Sequence, residues 1–113
     1  MYKNRVIQDM QVVKYKQLTI DYRYCIVKLS GKEIQLCPKE FCTLQFLAKY
    51  PGWVFTKNQI YKEVYGDIAP INVDNIIYCL IYGLRKKLEV DSLQFKYIQT
   101  VRGIGYKFVI PDR

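Results

Sequence analysis

The chain has 113 residues, half of them hydrophobic and a quarter charged, enough for one domain with its own core and too apolar for a disordered polymer. Eighteen Lys and Arg against ten Asp and Glu leave a net charge of +8, which favours an acidic partner. No apolar run approaches the roughly 20 residues that span a bilayer, and the N-terminus lacks a signal-peptide core, so the expected setting is the cytoplasm.

Residues 1–16 are polar and weakly patterned, and are expected to be a linker or N-terminal extension, or a first strand, ahead of a domain over 17–113. From Gln17 to Gln35, β-branched and aromatic segments broken at Asp21 and at Ser30-Gly31-Lys32 predict three short antiparallel strands. Pro38 opens a helix as a first-turn proline. Phe41, Leu44, Leu47 and Ala48 form its apolar face, and Pro51-Gly52 stops it. Cys37 falls at the N-cap, where a missing hydroxyl costs about 1 kcal/mol, and Lys39-Glu40 reads as an ordinary charged first turn.

The second helix begins with a capping box, Thr56-x-x-Gln59, followed by Ile60 and Val64 one turn apart. A loop, Tyr65 to Asn72, is bounded by Gly66 and Pro70. The third helix is expected from about Asp74 to Glu89, with Ile77, Ile81, Leu84 and Leu88 as its buried stripe. Strands are expected over Tyr97–Val101 and Tyr106–Ile110.

Residues 85–113 hold seven cations (Arg85, Lys86, Lys87, Lys96, Arg102, Lys107, Arg113) against three acids, half the net charge in a quarter of the chain. Arg102 sits at the tip of a hairpin with Gly103 and Gly105 behind it, a narrow cationic probe suited to a groove lined with negative charge. Arg85, Lys86 and Lys87 match the C-terminal dipole of their helix and also fit a polyanion, with Lys87 read as solvated. Tyr78 and Tyr82, four apart, fit three uses: pairing on the helix, contacting DNA through phosphates or thymine methyls, or packing on protein. Cys25, Cys37, Cys42 and Cys79 lack Cys-x-x-Cys spacing and the chain has no histidine, so no metal and no cofactor are expected. With no Walker or Rossmann loop and no nucleophile–base pair, an enzyme is not expected.

Five segments, taken in order and spacing, resemble the DNA-binding effector domain of OmpR/PhoB-type response regulators. They are Leu36-Cys37-Pro38-Lys39-Glu40-Phe41, Pro51-Gly52, Val64-Tyr65-Gly66, Leu84-Arg85-Lys86-Lys87-Leu88 and Thr100-Val101-Arg102-Gly103-Ile104-Gly105-Tyr106. The resemblance runs from about Leu18 to Ile110. It implies an α+β winged helix-turn-helix: an N-terminal four-stranded antiparallel sheet, three helices and a C-terminal β-hairpin wing. It further implies double-stranded DNA as partner, the third helix in the major groove, the wing arginine in the adjacent minor groove, and homodimers on direct repeats. The loop after the second helix (Gly66, Asp67, Ile68) would be the RNA polymerase contact.

Carried over by position, Arg102 matches the minor-groove arginine and Arg85 a phosphate-contacting arginine. Lys86 lies beside Arg85, and Lys107 follows wing positions Thr100, Gly103 and Tyr106, which match those that hold the DNA backbone. Tyr65 stands where the family usually has a backbone-contacting tryptophan. Ile76, Tyr78 and Cys79 occupy positions that face bases, Leu80 and Tyr82 replace common phosphate binders, and Gly83 replaces an arginine. Asn75 is the one amide able to pair bidentately with adenine. The resulting expectation is a transcription regulator, the C-terminal output domain of a two-component response regulator or a stand-alone relative. The competing reading is a winged-helix interaction or dimerisation module with weakened base readout.

Overall fold

The computed structural model describes residues 12–67, 69–88 and 97–110, which fall into two compact units meeting in sequence at Gln35 and Leu36. The N-terminal unit is one antiparallel sheet in the order β1 (Val12–Tyr15), β2 (Leu18–Asp21), β3 (Ile26–Leu29), β4 (Lys32–Ile34). Four strands stand where periodicity alone suggested three, because Val12–Tyr15 pairs with β2 in the register Val13 opposite Ile20 and Tyr15 opposite Leu18. The sequence left that stretch open between a linker and a first strand, because four residues in a weakly patterned segment show too little alternation to decide before the partner is known. Alternation then puts Leu18, Ile20 and Val27 on one face, all within 1 % of full burial. At the β2–β3 turn Asp21 receives the Arg23 backbone amide at 3.0 Å and its guanidinium at 3.0 and 3.1 Å.

The C-terminal unit carries α1 (Pro38–Lys49), β5 (Val54–Thr56), α2 (Lys57–Tyr65), α3 (Val73–Leu88), β6 (Ile98–Val101) and β7 (Gly105–Phe108). All three helices lie where their apolar spacing placed them. Leu44, Leu47 and Ala48 of α1, Ile60 of α2, and Ile77, Ile81, Leu84 and Leu88 of α3 are buried together with Tyr97, Ile98 and Phe108. The capping box of α2 is complete: Thr56 Oγ1 accepts from Gln59 N at 3.1 Å, and Gln59 Oε1 accepts from Thr56 N at 2.8 Å.

Two features differ from the sequence expectation. First, β5 adds a third strand to the wing, giving the order β5–β7–β6, so β7 is central rather than half of a free hairpin. Three residues between a helix stop and a helix cap show no alternation from which a strand can be read. Second, β7 starts at Gly105, which pairs with Val101 on one side and Thr56 on the other.

Candidate nucleic-acid interface

With the Ile77–Ile81–Leu84–Leu88 stripe buried, helical geometry turns Asn75, Tyr78, Cys79, Tyr82 and Lys86 outward, and all five are exposed. Tyr78 is 61 % and Tyr82 55 % exposed, their rings nearly parallel at 15° with centroids 6.4 Å apart. The Lys86 ammonium lies 5.7 Å from the centroid of the Tyr82 ring, extending the ladder by one more turn.

The neighbouring cations are committed elsewhere. Arg85 turns toward the wing, where its Nε donates to Ile98 O at 3.1 Å and its Nη2 to Thr100 Oγ1 at 2.6 Å. Its guanidinium also lies 5.7 Å from the centroid of the Tyr106 ring. Arg85 thus clips α3 to β6, which leaves fewer of its five donors for phosphate than a free arginine offers. Tyr106 is 5 % exposed and lies beneath Arg85, which it supports. Thr100 remains exposed with its hydroxyl oxygen held by Arg85.

Lys87 was expected to be solvated and Glu40 to be an ordinary first-turn charge. Both expectations are corrected: Lys87 Nζ donates to Glu40 Oε1 at 2.7 Å, joining α3 to the start of α1. The same oxygen accepts from Cys37 N at 2.9 Å, so the glutamate supplies the end-capping that the Cys37 side chain was expected to lack. Glu40 is only 7 % exposed. Burial pushes its carboxyl up, but the hydrogen bonds from Lys87 and Cys37 together outweigh it and hold the group below the usual carboxylate value. The Lys87 ammonium is correspondingly raised, chiefly by its bond to Glu40.

Gly83 belongs to this clasp, since a Cβ there would lie 2.9 Å from Glu40 Oε2. The cation that meets Glu40 comes from one turn later on α3, at Lys87. A folded-state carboxyl below its free value gives stability that is present above about pH 4.5 and is lost as pH falls through the lowered pKa. Glu40→Gln is therefore expected to flatten the acid side of a melting-temperature profile as pH falls below about 4.5. Its cost at neutral pH should be on the order of 1 kcal/mol. An unchanged acid profile would refute the clasp.

At the wing, Arg102, Gly103 and Ile104 form the exposed tip, closed by Ile104 N donating to Val101 O at 2.9 Å. Gly103 takes φ +81°, a conformation other residues rarely adopt. Lys107 lies on β7 beside Gln99, one step out of phase with Thr100 and Tyr106. Strand alternation therefore puts it on the opposite face from the Arg85 clip, and the fold does not bring it to the α3 stripe. Ile76 and Leu80 are half-buried on the flank shared with Gly83 and Lys87.

A recess not foreseen from the sequence opens between the starts of α2 and α3 and the wing, lined by Thr56, Lys57, Asn58, Asp74, Thr100 and Ile104. Lys57 lies 3.7 Å from Asp74 within it. The lining residues reach 48 positions apart, from Thr56 to Ile104, so the capping motif at Thr56 and the wing position Thr100 each hinted at only one side of it.

In the loop after α2, Gly66 and Asp67 are exposed, whereas Ile68 lies outside the described residues. Tyr61 OH donates to Ala69 O at 3.2 Å, and the Tyr61 and Tyr65 rings stack at 4.6 Å. Lys39 covers the Tyr65 ring at 4.8 Å. Among the described residues no metal-binding cluster is present, and no helix is long and apolar enough to cross a membrane.

Residues 31–108 match the family described as transcriptional regulatory protein, C terminal. The chain belongs to this family. Its fold is the OmpR/PhoB-type winged helix, the DNA-binding domain of response regulators. The family domain superposes on the response regulator DrrB of Thermotoga maritima, an OmpR/PhoB homologue, with a TM-score of 0.81 and 32 % identity. That match covers 94 % of this chain and 50 % of DrrB.

The RstA DNA-binding domain of Klebsiella pneumoniae, solved in complex with the RstA box, gives a TM-score of 0.76 at 31 % identity over 88 % of this chain and 97 % of that one. The transcriptional regulatory protein SrrA of Staphylococcus aureus is 38 % identical over 105 residues, 88 % of this chain and 41 % of SrrA. Response regulator RR06 of Streptococcus pneumoniae is 33 % identical over 90 % of this chain and 44 % of its own. The chain thus spans less than half the length of these curated relatives.

Proposed function

We propose that this OmpR/PhoB-type domain binds double-stranded DNA with sequence preference to regulate transcription, α3 entering the major groove and Arg102 the adjacent minor groove. The observation that carries the reading is the Arg85 clip, which holds a cation-tipped wing at fixed distance from an exposed helix face. Two probes on a rigid mount suit two neighbouring grooves, and phosphate contacts from Lys86 and Lys57 would set the register. The RstA domain in complex with its box supports the same mode here. In the full protein the domain would serve as the output of a longer response regulator. The loop of Gly66, Asp67 and Ile68 would contact RNA polymerase, and the domain would bind direct repeats as head-to-tail pairs.

Binding measured by gel shift between about 50 and 200 mM salt should fall steeply, with about four to seven counterions released. A flat response would overturn the proposal. If the flat response came with concentration-dependent oligomers in the absence of DNA, the exposed Tyr78–Tyr82 pair would instead belong to a protein interface.

A further inference from the structure

Of the basic triplet Arg85-Lys86-Lys87, the fold leaves only Lys86 on the outer face of α3. Arg85 is turned to Ile98 O and Thr100, and Lys87 to Glu40. Gly83 contributes no side chain, and Asp74, the acid of the first turn, lies near Lys57. The middle of the exposed stripe is therefore two tyrosine rings and one small thiol, Tyr78, Cys79 and Tyr82. Asn75 stands at one end and Lys86 at the other, a span of about 16 Å along the helix.

The four bases present different major-groove edges to such a surface. Guanine offers two acceptors that call for Arg or Lys, and cytosine an amino donor that calls for Asp or Glu. No such group stands in the central stretch. Thymine offers a C5-methyl group, which apolar side chains take up, and adenine a pair of groups that Asn75 can meet. We propose that α3 reads thymine methyl groups by apolar contact with Tyr78, Cys79 and Tyr82, so that the preferred major-groove target is thymine-rich. The proposal rests on α3 entering the major groove as argued above. The cation at the rim of the helix face, Lys86, matches the phosphates that border such a groove. The nearly parallel rings have centroids 6.4 Å apart, close to two base-pair rises of about 3.4 Å, so they would meet different base pairs rather than one.

The test uses two random-sequence duplex libraries, one synthesised with dTTP and one with dUTP, which removes the C5-methyl and leaves pairing intact. Selection from the first library is expected to yield a site with thymines at the core, and a dU copy of that site should bind about fourfold more weakly for each contacted methyl. Tyr78→Ser with Tyr82→Ser, both at exposed positions, should abolish the difference between the dT and dU copies while circular dichroism stays that of the native chain. Tyr78→Phe with Tyr82→Phe should keep the dT-to-dU ratio, whatever affinity the lost hydroxyls carry, because the rings remain. Salt-dependent binding with equal affinity for dT and dU copies would overturn the thymine readout and leave the proposed function standing. No binding to either library would overturn both.

Discussion

Gly105→Ala is expected to lower the melting temperature by about 10 °C or more, a loss of about 3 kcal/mol or more in a domain of this size. A Cβ at this position would be driven into the carbonyl oxygen of Phe55, with Phe55 C at 2.8 Å and Thr56 Cα at 2.9 Å. Every one of those atoms is backbone, in the register that pairs Gly105 with Thr56. No rotamer relieves such a clash; β5 and β7 must separate. Separation would break the middle of the wing sheet and disturb the N-cap of α2, since Thr56 belongs to both. Gly103→Ala is the control, because nothing lies within 4 Å of its added carbon and only the φ of +81° is strained. It should cost about 1 kcal/mol. A Gly105→Ala melting curve within a degree or two of the parent would show that β5 does not pair with β7.

Arg102→Ala should leave stability within about 0.5 kcal/mol, as an exposed turn residue does, yet weaken DNA binding by about ten- to hundredfold. The salt slope should shrink by about one counterion, and the A·T preference flanking the core site should disappear from a binding-site selection. A narrow A·T-rich minor groove concentrates negative potential, and a guanidinium on a thin glycine-backed hairpin can enter it where a helix cannot. Arg102→Lys should recover only part of the effect, because a compact ammonium is more strongly hydrated and lacks the planar fork. Unchanged affinity together with unchanged flanking preference would remove the wing from recognition. Because the exposed face of α3 offers few hydrogen-bonding groups, the wing is expected to carry a large share of the discrimination.

The elements differ in how openly the sequence displayed them. The helices were legible because apolar residues recur at 3.6-residue spacing and because Thr56-x-x-Gln59 is a self-contained cap. The outward face of α3 followed from its buried stripe, and Asn75, Tyr78, Cys79, Tyr82 and Lys86 are exposed on it, whereas Ile76 and Leu80, carried over from the resemblance with them, are half-buried. Strands β1 and β5 were not found from periodicity, since three or four residues carry too little alternation to separate them from loop. Of the basic triplet, Lys87 was misread, and the bonds of Arg85 to the wing were not foreseen. Lys87 looks like a solvent cation at a helix end until the start of α1 is placed beside it. Tyr106 and Lys107, adjacent in a strand, went to opposite faces of a sheet whose third member had not been anticipated.

The class of the fold came from the resemblance that the five motifs carry, whereas composition, period and local caps sufficed for the three helices, the basic C-terminal quarter and the hairpin with Arg102 at its tip. These are properties of neighbouring residues, written within a turn or two of the chain. Pairings across distance needed the folded molecule: Glu40 with Lys87 across 47 positions, Arg85 with Thr100 across 15, and Gly105 against Phe55. Each depends on which faces of separate elements meet, and a one-residue change of register or a third of a turn of helix rotation would give different partners. The division of the cations into those that brace the domain and those left for a ligand therefore arises from packing.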